Sequence, residues 1–185
     1  MSDKKYEFVP GDEKTIAPGR TVKRIRLLVA IAAFGLPSGS LGGYIESKEC
    51  LSQSGNAWVF GDAQVFGDAQ VFGNARVSGN ARVSGDARVF GNAWVFGDAW
   101  VFGDAQVFGD ARVFGNARVS GDASIVWVSK VGRDNGTLTV FTGKDGDLIA
   151  TRGCFIGTID EFLAQSEKVH DDRTHLEYRM LIEVA

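Results

Sequence analysis

Twelve consecutive hexapeptides run without insertion from Gly55 to Val126. Each unit reads Gly, then Asp or Asn, then Ala, a variable residue, Val, and a last residue that is most often Phe. A six-residue period does not suit an amphipathic helix, because 3.6 residues per turn would carry Val around the helix from one repeat to the next. It suits short strands, since Ala and Val lie two residues apart and point to the same face, while Gly followed by Asp or Asn favours a tight corner. The repeat therefore predicts a β-solenoid with Ala and Val along its axis.

The repeat Val-x-Gly-Asp/Asn-Ala-x resembles that of the hexapeptide-repeat left-handed parallel β-helices. In that family three hexapeptides form one triangular coil, which implies four regular coils of 18 residues here. The flanking segments are similar to those of phage and prophage hexapeptide-repeat proteins of the YdcK type. This likeness implies a bacterial or phage source and brings no catalytic residues with it. The segments that carry it are Leu41–Glu46, Leu51–Val59, Val140–Lys144 and Gly153–Thr158.

The chain divides into three predicted parts within a mainly β fold class. Residues 1–42 are predicted to form an N-terminal β cap with turns at Pro10–Asp12 and Pro18–Gly19, because short alternating apolar runs are separated by Pro-Gly pairs. Residues 43–126 are predicted to form the left-handed β-helix, since Ile45 and Leu51 share the six-residue phase of the Ala series and indicate a degenerate first coil.

Residues 127–185 are predicted to form a small C-terminal α+β domain that begins with a three-stranded meander. Its strands are predicted at Ile125–Val131, Thr137–Thr142 and Leu148–Phe155. A capping box at Thr158–Glu161 predicts a first helix to about Lys168. A second helix from about Arg173 is predicted to pack through one apolar stripe, made of Leu176, Met180, Leu181 and Val184.

Residues 18 apart should stack in vertical columns, and two columns at the variable position alternate Arg with Trp. A guanidinium over an indole at one strand spacing is favourable cation–π geometry. One interpretation is that these columns only stabilise the surface of the coil. The other is a flat binding face for a planar or acidic partner, with the candidate residues Trp58, Arg76, Trp94 and Arg112 on one face and Arg82, Trp100 and Arg118 on the next.

Two corner columns raise further predictions. The apolar column Phe72, Phe90, Phe108, Val126 is expected to be covered by the terminal segments or by another subunit, so the three Phe residues are the candidate oligomer interface. Trimers recur in the family that the repeat resembles. The acidic column Asp68, Asp86, Asp104, Asp122 is interpreted as solvated corner residues, with a cation ladder as the less favoured alternative.

Few residues suggest chemistry. Hexapeptide-repeat enzymes are mostly acyltransferases that use coenzyme A or acyl carrier protein and a His general base on or beside the prism. The two histidines, His170 and His175, instead lie in the polar segment between the predicted helices. Cys50 and Cys154 are interpreted as buried reduced thiols, and no cofactor or firm metal site is predicted.

Charge and hydropathy limit the partners. The net charge of −3 makes nucleic acid an unfavoured partner, and no segment predicts insertion into a membrane, so a cytoplasmic protein is expected. The predicted function is that of a non-enzymatic, oligomeric binding or scaffold protein of phage or prophage origin, for example an inhibitor of a host defence complex. The alternatives are an acyltransferase that uses coenzyme A and a structural component of the virion.

Overall fold

A parallel β-helix occupies the centre of the chain, with a β cap before it and a small α+β unit after it. The computed structural model describes residues 4–121, 125–143 and 146–184. The predicted mainly β fold class with a solenoid is thereby confirmed. Neither helix has the length and hydropathy that crossing a bilayer requires, among the residues described.

The prism has three faces, each built from short parallel strands that recur every 18 residues. Trp94 is paired with Arg76 before it and Arg112 after it, which is the predicted register. The first face consists of β4 (Trp58–Val59), β7 (Arg76–Val77), β10 (Trp94–Val95) and β13 (Arg112–Val113). The second consists of β5 (Gln64–Val65), β8 (Arg82–Val83), β11 (Trp100–Phe102) and β14 (Arg118–Ser120), and the third of β6 (Gln70–Val71), β9 (Arg88–Val89) and β12 (Gln106–Val107).

The interior of the prism is as uniform as the repeat predicts. Each Ala and Val of the eleven Ala-x-Val pairs from Ala57 to Val119 is at most 2% exposed. Burying one Val side chain contributes roughly 1.5 kcal/mol before chain entropy is subtracted. The glycine that opens each repeat has φ between 60° and 74°, so the corners use the left-handed backbone region that glycine tolerates best.

The N-terminal cap continues one wall of the prism. Strands β1 (Tyr6–Ala17), β2 (Arg20–Leu27) and β3 (Leu41–Ile45) pair antiparallel in that order, and β3 then pairs in parallel with β5 of the second face. The predicted turn at Pro10–Asp12 was wrong: β1 runs through it, and Gly11, with φ 77°, lies in an irregularity between Phe8 and Glu13 where the register shifts. A bulge lets the strand absorb extra residues without ending.

The first, degenerate coil is offset from the phase that the sequence indicates. Ile45 pairs with Val65 and Leu51 with Val71, so each lies 20 residues, not 18, before its partner. Both side chains are fully buried and fill the end of the axis, but they stand in the Val series and not in the predicted Ala series. The two additional residues fall between Leu51 and Trp58, where the regular 18-residue step begins.

The C-terminal unit contains one strand more than predicted. An antiparallel sheet orders β15 (Ile125–Val131), β16 (Gly136–Thr142), β17 (Leu148–Arg152) and β18 (Phe155–Thr158). The predicted third strand is a hairpin, because Gly153 takes φ 61° and reverses the chain between β17 and β18. The predicted capping box is present, and α1 spans Ile159–Val169 and α2 spans Asp172–Glu183.

Helix α2 packs through a different face from the one predicted. Thr174 and Tyr178 are its buried residues, and Tyr178 contacts Phe162 of α1 edge to face at 5.1 Å between ring centroids. Of the predicted stripe only Leu181 packs against the core, whereas Leu176, Met180 and Val184 are 53%, 59% and 83% exposed. A buried tyrosine ring supplies more contact area than a leucine, and this decides which way the helix faces.

Candidate functional site

Three tryptophans belong to the columns that alternate Arg with Trp, and two of them, Trp94 and Trp100, reach across a corner of the prism. Trp94 Nε1 donates to Ser78 Oγ at 3.0 Å, and Trp100 Nε1 donates to Ser84 Oγ at 2.9 Å. Each serine lies 16 residues before its tryptophan, which places it diagonally below on the preceding coil. Ser78 and Ser84 replace the Phe that usually occupies that corner, and the smaller side chain leaves room for the indole.

Trp58, the third of these tryptophans, is not on the surface. It is fully buried beneath the N-terminal cap, where Tyr6 contacts it edge to face at 6.1 Å between ring centroids. A Cβ on Gly42 would come within 2.7 Å of the Trp58 ring, so the cap closes tightly over it. Trp58 therefore belongs to the core of the cap and is removed from the candidate binding surface.

The arginines of the same columns differ in how they are held. The Arg76 guanidinium lies 4.5 Å from the Trp94 ring centroid and 5.5 Å from that of Phe34, in the 3-10 turn Ala32–Phe34 of the N-terminal cap. Arg118 lies 5.4 Å from the Trp100 ring, whereas Arg82 and Arg112 are exposed. The predicted Arg–Trp stacking is therefore found at two sites.

Two adjoining clefts open on the first face. The polar cleft, of about 330 Å³, is lined by residues of all three parts of the chain: Phe34, Asn74, Arg76, Asn92, Asp110, Arg112 and Thr137. The apolar cleft, of about 380 Å³, is lined by Ala33, Phe34, Phe60, Arg76, Ser78 and Trp94. Phe34 and Arg76 line both, so the Arg76 side chain stands between an apolar compartment and a polar one.

Each corner of the prism carries a column of Asp and Asn residues, and the column beside the polar cleft contains the fewest aspartates. This column is an amide ladder in which Asn56 donates to Asn74 at 2.9 Å, Asn74 to Asn92 at 3.2 Å and Asn92 to Asp110 at 3.1 Å. Ser129 Oγ donates to the second oxygen of Asp110 at 3.4 Å. Two arginines and one carboxylate leave the polar cleft with a positive balance.

The candidate cation ladder stands on another corner. Asp68, Asp86 and Asp104 are exposed at that corner, and Asp122 lies outside the described residues. No group of three or more His, Cys, Asp or Glu side chains is placed to share a metal ion in the part of the chain that the structure describes. The solvated interpretation of these aspartates agrees with their exposure.

The candidate oligomer edge is a stack of parallel rings. Phe72 and Phe90 stack with centroids 4.9 Å apart, and Phe90 and Phe108 with centroids 5.2 Å apart. Trp127, at the start of the C-terminal unit, contacts Phe108 edge to face at 5.5 Å, so a terminal segment covers one end of the column. Phe108 still remains 41% exposed.

Lys5 is a buried polar residue that the sequence pattern did not single out. Its Nζ donates to the Ala57 carbonyl at 3.0 Å, and the residue is 6% exposed. Ala57 precedes β4, the edge strand of the first face, and within the described part of the chain no backbone N–H of an earlier strand donates to its carbonyl. Burial lowers the pKa of the Lys5 amine from 10.5 to about 8. Lys5 therefore caps the open edge of the prism.

The histidines and cysteines lie away from the clefts. His170 ends α1 and packs on the Tyr178 ring at 5.5 Å, and His175 lies within α2, so the prediction that both lie between the helices holds for His170 alone. Cys50 is buried as expected, but Cys154 is exposed, because it occupies the turn between β17 and β18.

The comparisons with known proteins concern the repeat. A family model described as the YdcK beta solenoid repeat matches residues 69–85, 81–97, 105–121 and 111–125. A search of curated proteins finds no match to the chain. The matched segments are the coils whose strands pair at 18-residue intervals and whose Ala and Val side chains fill the axis. The regular coils of this chain are thus similar to the YdcK beta solenoid repeat over residues 69–97 and 105–125.

Proposed function

We propose that the chain is a non-enzymatic, oligomeric scaffold that binds another protein through the arginines of its prism. The observation that carries this proposal is a set of arginines that form no salt bridge within the described parts of the chain although they stand on regular strands. Arginine is enriched at protein interfaces, where its guanidinium binds carboxylates through two parallel hydrogen bonds. These arginines are Arg76, Arg82 and Arg112.

The interior of the prism supports a scaffold role. Side chains in a close-packed core have few alternative arrangements, and here the same Ala and Val pair recurs on every strand. Outward residues are therefore held at a fixed spacing of about 4.8 Å from coil to coil. A partner that matches this spacing binds a surface that needs little ordering, which lowers the entropic cost of association.

Self-association through the Phe72–Phe90–Phe108 column forms part of the proposal. A partly exposed row of stacked rings is stabilised when a second copy, in a dimer or trimer, removes it from water. Light scattering after size exclusion should give the mass of an oligomer for the natural chain. Substituting Phe72→Ser together with Phe108→Ser should reduce the mass towards the monomer, whereas Phe66→Ser on another corner should not. A natural chain that is monomeric at micromolar concentration would contradict this part.

The binding role is tested by capture of a partner from a bacterial lysate and its identification by mass spectrometry. The proposal also includes a location in the cytoplasm of a bacterial cell, a phage or prophage origin, and a role such as the inhibition of a host defence complex. The natural chain should capture a discrete host protein, and a variant with Gln at Arg76, Arg82 and Arg112 should not.

Two outcomes would favour the other functions. A rise in melting temperature with coenzyme A, without any protein captured, would contradict the scaffold role and favour an acyltransferase. Regular rods of the purified protein in electron micrographs would favour a virion component instead.

A further inference from the structure

The two clefts of the first face differ in chemistry but share a wall. The apolar cleft presents the rings of Phe34, Phe60 and Trp94, whereas the polar cleft presents the guanidinium groups of Arg76 and Arg112. Any occupant that fills both must place an apolar group and an anionic group side by side. Both spaces are open to solvent on one side, which suits side chains that project from a macromolecule better than a small molecule that must be enclosed.

Arg76 is fixed in position but not paired in charge. Its guanidinium is held between Phe34 and Trp94, and its Nε is buried without a hydrogen-bond partner among the residues described. Arg112, two coils further along the same column, lies about 9.6 Å from it along the prism axis and forms no salt bridge with any of the described residues.

The surroundings of this pair favour an acidic occupant. The corner column beside the polar cleft has Asn at three of its four positions. The column that begins at Asp68, just before the strands of the third face, has Asp at each of its described positions. The one carboxylate in the polar cleft, Asp110, already accepts from Asn92 and Ser129. Charge complementarity therefore selects carboxylates at this face and not at the third.

We propose that the first face binds a peptide segment of a partner protein in which an acidic side chain neighbours a large apolar one. The acidic side chain occupies the polar cleft between Arg76 and Arg112, and the apolar side chain occupies the cleft beside Phe34 and Trp94. This inference rests on the proposed scaffold function and names the site and the recognition chemistry that the function would use.

The test is a selection from a library of random 12-residue peptides displayed on ribosomes, with the natural 185-residue chain as the bait. Enriched peptides should carry Asp or Glu within a few residues of Phe, Trp, Leu or Met. One enriched peptide, synthesised with a fluorescent label, should bind the natural chain at a dissociation constant that Arg112→Gln weakens about tenfold or more. Phe34→Ala should weaken it to a similar degree, through the apolar cleft.

The matched control is Arg88→Gln, because Arg88 occupies the same repeat position on the third face and lines neither cleft. It should change the dissociation constant less than twofold. Arg112 and Arg88 are both exposed, so neither substitution should alter the melting temperature by more than a degree or two. Selection of no peptide, selection of basic or wholly apolar peptides, or binding that Arg112→Gln and Arg88→Gln weaken equally would overturn the proposal. Capture of a host protein would then still support the scaffold function through another surface.

Discussion

Ser78 and Ser84 show how single residues adapt a uniform repeat to particular neighbours. Each replaces a corner Phe and accepts the indole N–H of a tryptophan on the following coil. The sequence shows that each of these serines replaces a Phe and lies 16 residues before a Trp. It does not show that the two side chains meet, because this depends on a diagonal contact between coils. Columns drawn straight up the prism, with a step of 18, do not bring these residues together.

The Ser78–Trp94 hydrogen bond should have a measurable effect on stability. Ser78→Ala leaves the partly buried indole donor without its acceptor, so we expect the free energy of unfolding to fall by about 1 kcal/mol. Urea denaturation measures the change. In a Trp94→Phe background the same substitution should have little effect, and an equal loss in both backgrounds would contradict the pairing.

Lys5 should make stability depend on pH. Its pKa is about 8 in the folded chain and 10.5 in the unfolded chain, so between these values the unfolded chain binds more protons. The contribution of Lys5 to the free energy of unfolding therefore rises with pH across this window. Compared with Lys5→Met, the natural chain should gain roughly 1–2 kcal/mol between about pH 7 and pH 9.5.

Chemical denaturation of both chains at the two pH values measures this gain. The comparison should stop below about pH 10, because burial raises the pKa of Tyr6 and this shift makes the folded chain less stable at higher pH. A difference between the two chains that is constant or shrinks with pH would show that the Lys5 amine is not desolvated.

At the scale of elements, two separate constraints favour glycine at the corners: the positive φ angle and the close approach of the next coil. Gly61 and Gly91 have φ of 60° and 70°, which costs other residues free energy. At Gly91 a Cβ would in addition meet the Gly109 nitrogen at 2.9 Å, whereas at Gly61 the nearest such atom is 3.8 Å away. Close stacking of coils thus adds a second constraint at some corners only.

A pair of alanine substitutions separates these two effects. Gly61→Ala should lower the free energy of unfolding by roughly 1 kcal/mol, the cost of the backbone conformation alone. Gly91→Ala should cost at least about 1 kcal/mol more, because the adjacent coil must shift. Thermal or urea unfolding of the two variants gives the comparison, and equal losses would mean that the coils are not stacked as tightly as described.

The regular coils could be predicted from the sequence because one short pattern determines strand, corner and core together. The elements outside it could not be predicted as well. The 20-residue step at Ile45 and Leu51 depends on how the cap meets the first coil, and the buried face of α2 depends on Tyr178 reaching Phe162. Tertiary contacts overrode the local phase in both cases. The first-face clefts were missed because Phe34 and Thr137 join them from distant parts of the chain.

At the scale of the whole molecule, the number of hexapeptides between the two terminal units decides whether both units border the same face. Phe34 of the N-terminal cap and Thr137 of β16 both border the first face because the regular coils between them are built from three hexapeptides each. Removing one whole coil should bring the units about 4.8 Å closer and keep them over the same face. Removing one hexapeptide should instead turn the C-terminal unit onto another face.

Cross-linking of the two terminal units tests this account most directly. Cysteines replace Ala33 and Thr137, Cys154 is changed to Ser, and a short bismaleimide joins the two positions. The full chain and a chain without residues 79–96 should both form the link within one molecule, as detected by peptide mass spectrometry. A chain without residues 79–84, although it has lost only one hexapeptide, should not form it. Linking of the six-residue deletion as readily as the full chain, or failure of the 18-residue deletion, would contradict the three-hexapeptide coil and the shared face.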